Sequence, residues 1–182
     1  MALEHAILVS LTEQASTGYD LARRFDKSIG QFWTATHQQV YKVLSRMESA
    51  GWVEATVVAQ DGRPDKKVYD VTAAGRTELA TWISQPASPE ATRSDLAVKI
   101  RGASEGDLDA VLAEVRRHRT LHAERLDAYL ANEKHDFADP APLTGRQLHQ
   151  WIVLRGGIAL ERSLVEWYSD VLDTLTPKGT NS

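Results

Sequence analysis

The period of the apolar positions changes along the chain, and each change marks an element. In "ALEHAILVSLTE", Leu3, Ala6, Ile7, Ser10 and Leu11 share one helical face. "STGYDLARRFDKSIGQF" repeats that spacing with Tyr19, Leu21, Ala22, Phe25 and Ile29, and Gly30 offers a stop. A third helix follows in "TATHQQVYKVLSRMESAGWV", residues 34–53, with Val40, Val43, Leu44 and Met47 as its buried stripe. Thr36 three residues ahead of Gln39 fits a capping box, Thr34 is a rival cap, and Gly51 is the expected C-terminal stop. Past Gly51 the period falls to two. "WVEATVVAQ" and "KVYDVT" bracket "DGRPDK", which reads as the tip of a β-hairpin. Thr72 then caps "AAGRTELATWIS", a helix expected to bury Leu79, Trp82 and Ile83. Three helices, a hairpin and a fourth helix make a winged helix-turn-helix.

"SQPASPE" at 84–90 divides the chain, giving an expected winged domain over 1–86 and a helical domain over 87–182. The second half has the pattern of three helices. A short one, 93–103, carries Leu96, Ile100 and Ala103 on one face. A long one starts from Ser104 as cap and places Leu108, Val111, Leu112, Val115, His122, Leu126, Tyr129 and Leu130 at helical spacing. At about 30 residues it would span ~45 Å. After the break "DPAPLTG", a last helix over roughly 145–175 bears two apolar strips. One holds Trp151, Leu154, Ile158, Val165, Tyr168, Leu172 and Leu175; the other holds Val153, Leu160, Leu164, Trp167 and Val171. Two strips need two partners, one the chain's own long helix and one a second copy, because a bare strip of that size invites aggregation. Candidate dimerisation residues are Leu3, Ile7, Trp151, Leu154, Ile158, Val165, Tyr168 and Leu172. A monomeric helical bundle is the competing arrangement. The expected fold class is therefore mainly α with a small β-hairpin: an N-terminal winged helix-turn-helix and a C-terminal helical dimerisation domain. Gly156 and Gly157, in mid-helix, cost about 1 kcal/mol each against alanine, so close helix approach, a kink or room for a ligand should compensate.

Charge sharpens the reading of the third helix. The chain carries 21 Lys and Arg against 25 Asp and Glu, and neither half is basic, yet residues 34–47 contain no acid. A helix entering a major groove needs directional donors and acceptors near its N-terminus, and Gln pairs bidentately with adenine. Gln38 and Gln39 fit that need, and His37 can donate to a purine or to phosphate. Lys42 and Arg46, one turn apart, can neutralise phosphates, with Thr34, Thr36 and Tyr41 beside them and Arg63, Lys66 and Lys67 at the wing. The same layout also serves protein docking, since a fold does not fix a function.

"EHAILVSL", "TGYDLARRF", "GQFWTATHQQVYKVLSRMESAGWV" and "VYDVTAAGRTELATWI" resemble the PadR family of bacterial transcriptional regulators. The helical second half is similar to the virulence-activator-like C-terminal domain of the family's long-tailed branch. The resemblance implies a homodimer on inverted-repeat operator DNA, usually a repressor, released by a small and often aromatic effector. Tyr129, Trp151, Trp167 and Tyr168 are then candidates for lining an effector pocket, although aromatics at helical spacing are also ordinary core. The wing tip "DGRPDK" and much of 104–150 depart from the family, so the operator and effector do not carry over.

Other chemistry finds little support. Cysteine is absent, which excludes disulfides and thiolate metal sites. His118 and His122 have metal-ligand spacing, but nothing nearby completes a set, so neither a metal nor a cofactor is expected. No phosphate-binding loop, nucleophile elbow or metalloprotease motif is present, and an enzyme is not expected. The lack of a long apolar run and of a basic leader predicts a cytoplasmic protein without membrane contact.

Overall fold

The computed structural model describes residues 2–27, 35–59, 65–87 and 94–176. The chain forms two compact units, residues 1–89 and 90–182. Thr34 and Arg63, with most of the hairpin tip and the proposed stop at Gly30, lie outside the described residues.

The first unit runs α1 (Ala2–Glu13), β1 (Ser16–Thr17), α2 (Gly18–Lys27), α3 (His37–Ser49), β2 (Val53–Val58), β3 (Lys66–Val71) and α4 (Ala73–Ile83). Its three strands are antiparallel in the order β1-β3-β2. The hairpin register pairs Val53 with Val71 and Val58 with Lys66, whereas Ser16 and Thr17 pair with Tyr69 and Val68. A two-residue strand has no period to read, which is why β1 was not expected. Arg24 secures it, donating to the carbonyl oxygens of Ser10 and Gln14 at 3.1 and 3.2 Å and to Ser16 Oγ.

Helices and sheet close on Ile7, Leu8, Leu11, Leu21, Val40, Leu44, Met47 and Val53, none more than 2% exposed. Removing each such side chain from water contributes roughly 1.5–3 kcal/mol. Ile7, a dimerisation candidate, is thus wholly spent inside its own unit, and Leu3 is half-buried against the same core. The expected burial along α4 also needs correction. Leu79 is buried, but Trp82 is 37% and Ile83 65% exposed. Gly75 brings α4 so close to the Trp52 carbonyl that a β-carbon there would collide with it. Leu79 completes that contact face, and Trp82 instead lays its ring on His5, 4.4 Å between centroids and 7° from parallel.

The second unit contains α5 (Asp95–Arg101), a 3-10 turn at Ala103–Glu105, α6 (Leu108–Asp136) and α7 (Gly145–Leu175). Helix α6 starts from Asp107, whose carboxylate accepts from the Ala110 N–H at 3.1 Å, and not from Ser104. Ser104 belongs to the 3-10 turn, and extended Gly106 separates it from the helix. The contacts of α6 with α7 run in opposite chain directions, Glu133 with Trp151, His122 with Glu161, and Leu112 and Val115 in one cluster with Tyr168 and Leu172. The pair is therefore an antiparallel hairpin.

Two apolar clusters line it: Leu96, Leu112, Val115, Tyr168 and Leu172, and separately Tyr129, Leu154 and Ile158. Leu154, Ile158, Tyr168 and Leu172, assigned from their spacing to a subunit interface, instead cover the chain's own α6 and α5. Val165 and Trp151 are half-buried. The exposed side of α7 carries Ile152, Val153, Leu160 and Trp167, 38–56% exposed, while Leu164 and Val171 pack partly on the first cluster.

Candidate nucleic-acid interface

Helix α3 starts where a capping box predicts. Thr36 Oγ1 accepts from the Gln39 N–H at 3.2 Å, and Gln39 Oε1 accepts from the Thr36 N–H at 2.8 Å. The box satisfies two donors that a bare helix end leaves orphaned. It also commits the Gln39 carbonyl, and bidentate pairing with adenine needs that oxygen as well as the amide N–H. Gln38, exposed one position earlier, carries no such commitment in the cap. At the other end Gly51 adopts φ +72°, the left-handed conformation that ends a helix with least strain in glycine.

Burial separates the faces of α3. Val40, Val43, Leu44 and Met47 enter the core, whereas Thr36, His37, Gln38, Gln39, Tyr41, Lys42 and Arg46 are exposed. His37 meets the Tyr19 ring edge-on at 6.3 Å. Tyr41 lies over the first turn of α2, where a β-carbon on Gly18 would collide with its ring. Tyr19, Tyr41, Tyr69, Lys66 and Lys67 line a cleft of about 470 Å³ together with Thr17, Gly18 and Asp20. The structure thus brings α3 and the lysine-bearing strand to one surface, with α2 as the third wall. Tyr19, placed by its spacing on the apolar face of α2, is instead 54% exposed and stands in that wall.

Two of the expected phosphate grips already have acidic partners. Lys67 Nζ is 2.8 Å from Glu48 Oε2 and 5.3 Å above the Tyr69 ring. The Glu48 hydrogen bond raises the Lys67 ammonium above its ordinary pKa. Arg46 pairs with Glu4, which reaches it from α1. Burial works to raise the Glu4 carboxyl, but backbone hydrogen bonding and nearby positive charge, Arg46 included, bring it below the ordinary value.

The four aromatic candidates in the second unit do not share one environment. Tyr129 and Tyr168 sit in different apolar clusters, and burial, with the charge of Glu161 adding to it, raises both phenols above their ordinary pKa. Trp151 Nε1 donates to Glu133 at 3.2 Å. Trp167 is partly exposed and packs 4.8 Å from Tyr168. Between the clusters lies buried Glu161, with His122 Nδ1 at 2.5 Å and Arg125 at 4.0 Å. His118 faces Glu114 at 3.3 Å, so the two histidines engage different carboxylates. Among the described residues, no group of three His, Cys, Asp or Glu side chains is placed to hold a metal. No helix among them is long and apolar enough to cross a membrane.

Comparison with known proteins adds identity to this geometry. The family model described as the transcriptional regulator PadR-like family matches residues 7–81, and that of the virulence activator alpha C-terminal region matches 92–176. A probable transcriptional regulator of Mycobacterium tuberculosis is 53% identical, over 98% of this chain and 100% of its own length. The negative transcriptional regulator PadR of Bacillus subtilis is 27% identical over 93% of this chain and 95% of its own. Its structure in complex with operator DNA matches with a TM-score of 0.82 at 23% identity, covering 96% of this chain and 99% of that one. Its structure in complex with p-coumaric acid gives 0.73 at 22% identity, over 97% and 96%. The Vibrio cholerae virulence activator AphA gives 0.77 at 29% identity, over 95% and 97%.

Proposed function

We propose that this chain, which belongs to the PadR-like family of transcriptional regulators and is not an enzyme, is a cytoplasmic homodimeric repressor of an inverted-repeat operator. The observation that carries the reading is α3 itself. Its capped, acid-free N-terminal turn is exposed, His37 meets Tyr19 edge-on, and Tyr19 and Tyr41 line one cleft with Lys66 and Lys67 of the wing strand. In this reading Gln38 and His37 read base edges, and Lys42, Arg46, Lys66 and Lys67 contact phosphates, as Arg63 would at the wing tip. Thr36 and Gln39 hold the turn in shape, and Tyr41 braces α3 against α2.

The region 1–86 binds DNA and 87–182 dimerises. The exposed strip of Ile152, Val153, Leu160 and Trp167 on α7 meets its equivalent in a second copy, continued by half-buried Val165. Gly156 lies between Val153 and Leu160 with open space where a β-carbon would stand, room for the close approach of another helix. A twofold dimer presents two copies of α3 to successive major grooves, about 34–36 Å apart. Release by a small aromatic acid is supported by the Bacillus subtilis relative solved with p-coumaric acid.

The test pairs two measurements on the purified protein. Binding to its own upstream region should exceed binding to random duplex and weaken as salt rises. Sedimentation should show a dimer at micromolar concentration. Equal binding to both duplexes would reject the operator reading, and a monomer would reject the dimer.

A further inference from the structure

The span from 34 to 47 carries no acid, yet acids reach its cations from elsewhere in the fold. Glu48, in the last turn of α3, holds Lys67 of β3 at 2.8 Å, and Glu4 of α1 holds Arg46. The two pairs are built differently. Glu48 and Lys67 are both accessible, with side chains 35% and 48% exposed. The Glu4 side chain is only 11% exposed beneath an Arg46 that is 60% exposed, so this carboxylate cannot swing into solvent when Arg46 turns towards a new partner.

A phosphate approaching either cation must therefore displace a carboxylate or accept its repulsion. Both routes cost binding energy, and neither depends on base sequence. We infer that Glu48 and Glu4 are built-in counter-ions that lower the affinity of this face for duplex DNA of any sequence. The inference rests on the DNA-binding reading above and adds a restraint to it. A regulator that must leave its operator on cue gains from such a restraint, because base contacts then supply a larger share of the binding. Near-balanced charge agrees with this: residues 1–86 carry nine Lys and Arg against ten Asp and Glu. The competing role, an ion pair that merely pins the wing to α3, predicts the opposite sign, since losing the pin would loosen the DNA-binding surface.

Glu48→Gln in the full chain separates the two. Affinities are measured for the upstream duplex and for a random duplex across a salt series. The restraint predicts that both affinities rise roughly 3- to 10-fold at low salt. It also predicts that log K falls with log salt more steeply by up to about 0.9, the increment for one more neutralised phosphate. The ratio between the two duplexes should stay where it was. An unchanged or lower affinity, or a gain confined to the upstream duplex, would overturn the inference. Glu4→Gln should act with the same sign, with a circular dichroism melt confirming that it folds; if it does not fold, Glu48→Gln alone decides. A wild-type protein that binds neither duplex overturns the DNA reading and this inference together. Wild-type binding with an unmoved Glu48→Gln variant overturns only the restraint.

Discussion

The two units contain similar lengths of chain and bury them differently. In the first, Ile7, Leu8, Leu11, Leu21, Val40, Leu44, Met47 and Val53 are almost fully enclosed. In the second, among the described residues, only Leu112, Val115 and Ile158 reach that state, although α6 and α7 together span 60 residues. Short helices around a small sheet can surround a core, whereas two long helices side by side cover one strip each and leave the rest to water. The first unit thus encloses a core of its own, although Val57, Val58, Trp82 and Ile83 stay exposed on it. The second leaves Ile152, Val153, Leu160 and Trp167 uncovered and places the hydrogen-bonded pair of His122 and Glu161 between its two apolar clusters.

The first test falls on that pair. Glu161 is buried against His122, so Glu161→Ala leaves an imidazole nitrogen without its partner and should cost about 1–3 kcal/mol in thermal or denaturant unfolding. Replacing both residues with Leu should recover most of the loss. If the double variant is as unstable as the single one, the pair is not a separable polar layer.

A second test sets core against strip. Leu44→Ala should cost about 2–5 kcal/mol and melt the first unit. Leu160→Glu on the exposed strip should change the stability of the isolated chain by roughly 0.5 kcal/mol or less, yet shift sedimentation from dimer towards monomer. An intact dimer would move the interface away from this side of α7.

Much of this contrast could be read from the chain, and the failures share a cause. The bounds of α3 were legible because Thr36, Gln39 and Gly51 act within one turn of themselves. The start of α6 was misplaced because Ser104 and Asp107 are both good caps, and only the extended backbone at Gly106 decides between them. Strand β1 exists only through its pairing with β3, a partner some fifty residues away, so no local pattern reports it. Spacing found two strips on α7 but could not say which faces α6. Glu161, lying within the inward strip, finds its partner His122 thirty-nine residues earlier in the chain. At the candidate interface, the exposed row from His37 to Arg46 was legible from periodicity. The carboxylates of Glu4 and Glu48 beside it were not, because ion pairs across a fold leave no trace in spacing.

In the proposed regulator the first turn of α3 reads bases while the wing holds phosphate. Gln38→Ala and Lys66→Ala, each titrated against a set of upstream duplexes altered at single base pairs, test it most directly. Gln38→Ala should lose about 1–3 kcal/mol on the natural duplex and become indifferent to one base position, whereas Lys66→Ala should weaken every duplex by a similar factor. A Gln38→Ala variant that keeps the full base preference of the wild type would contradict it.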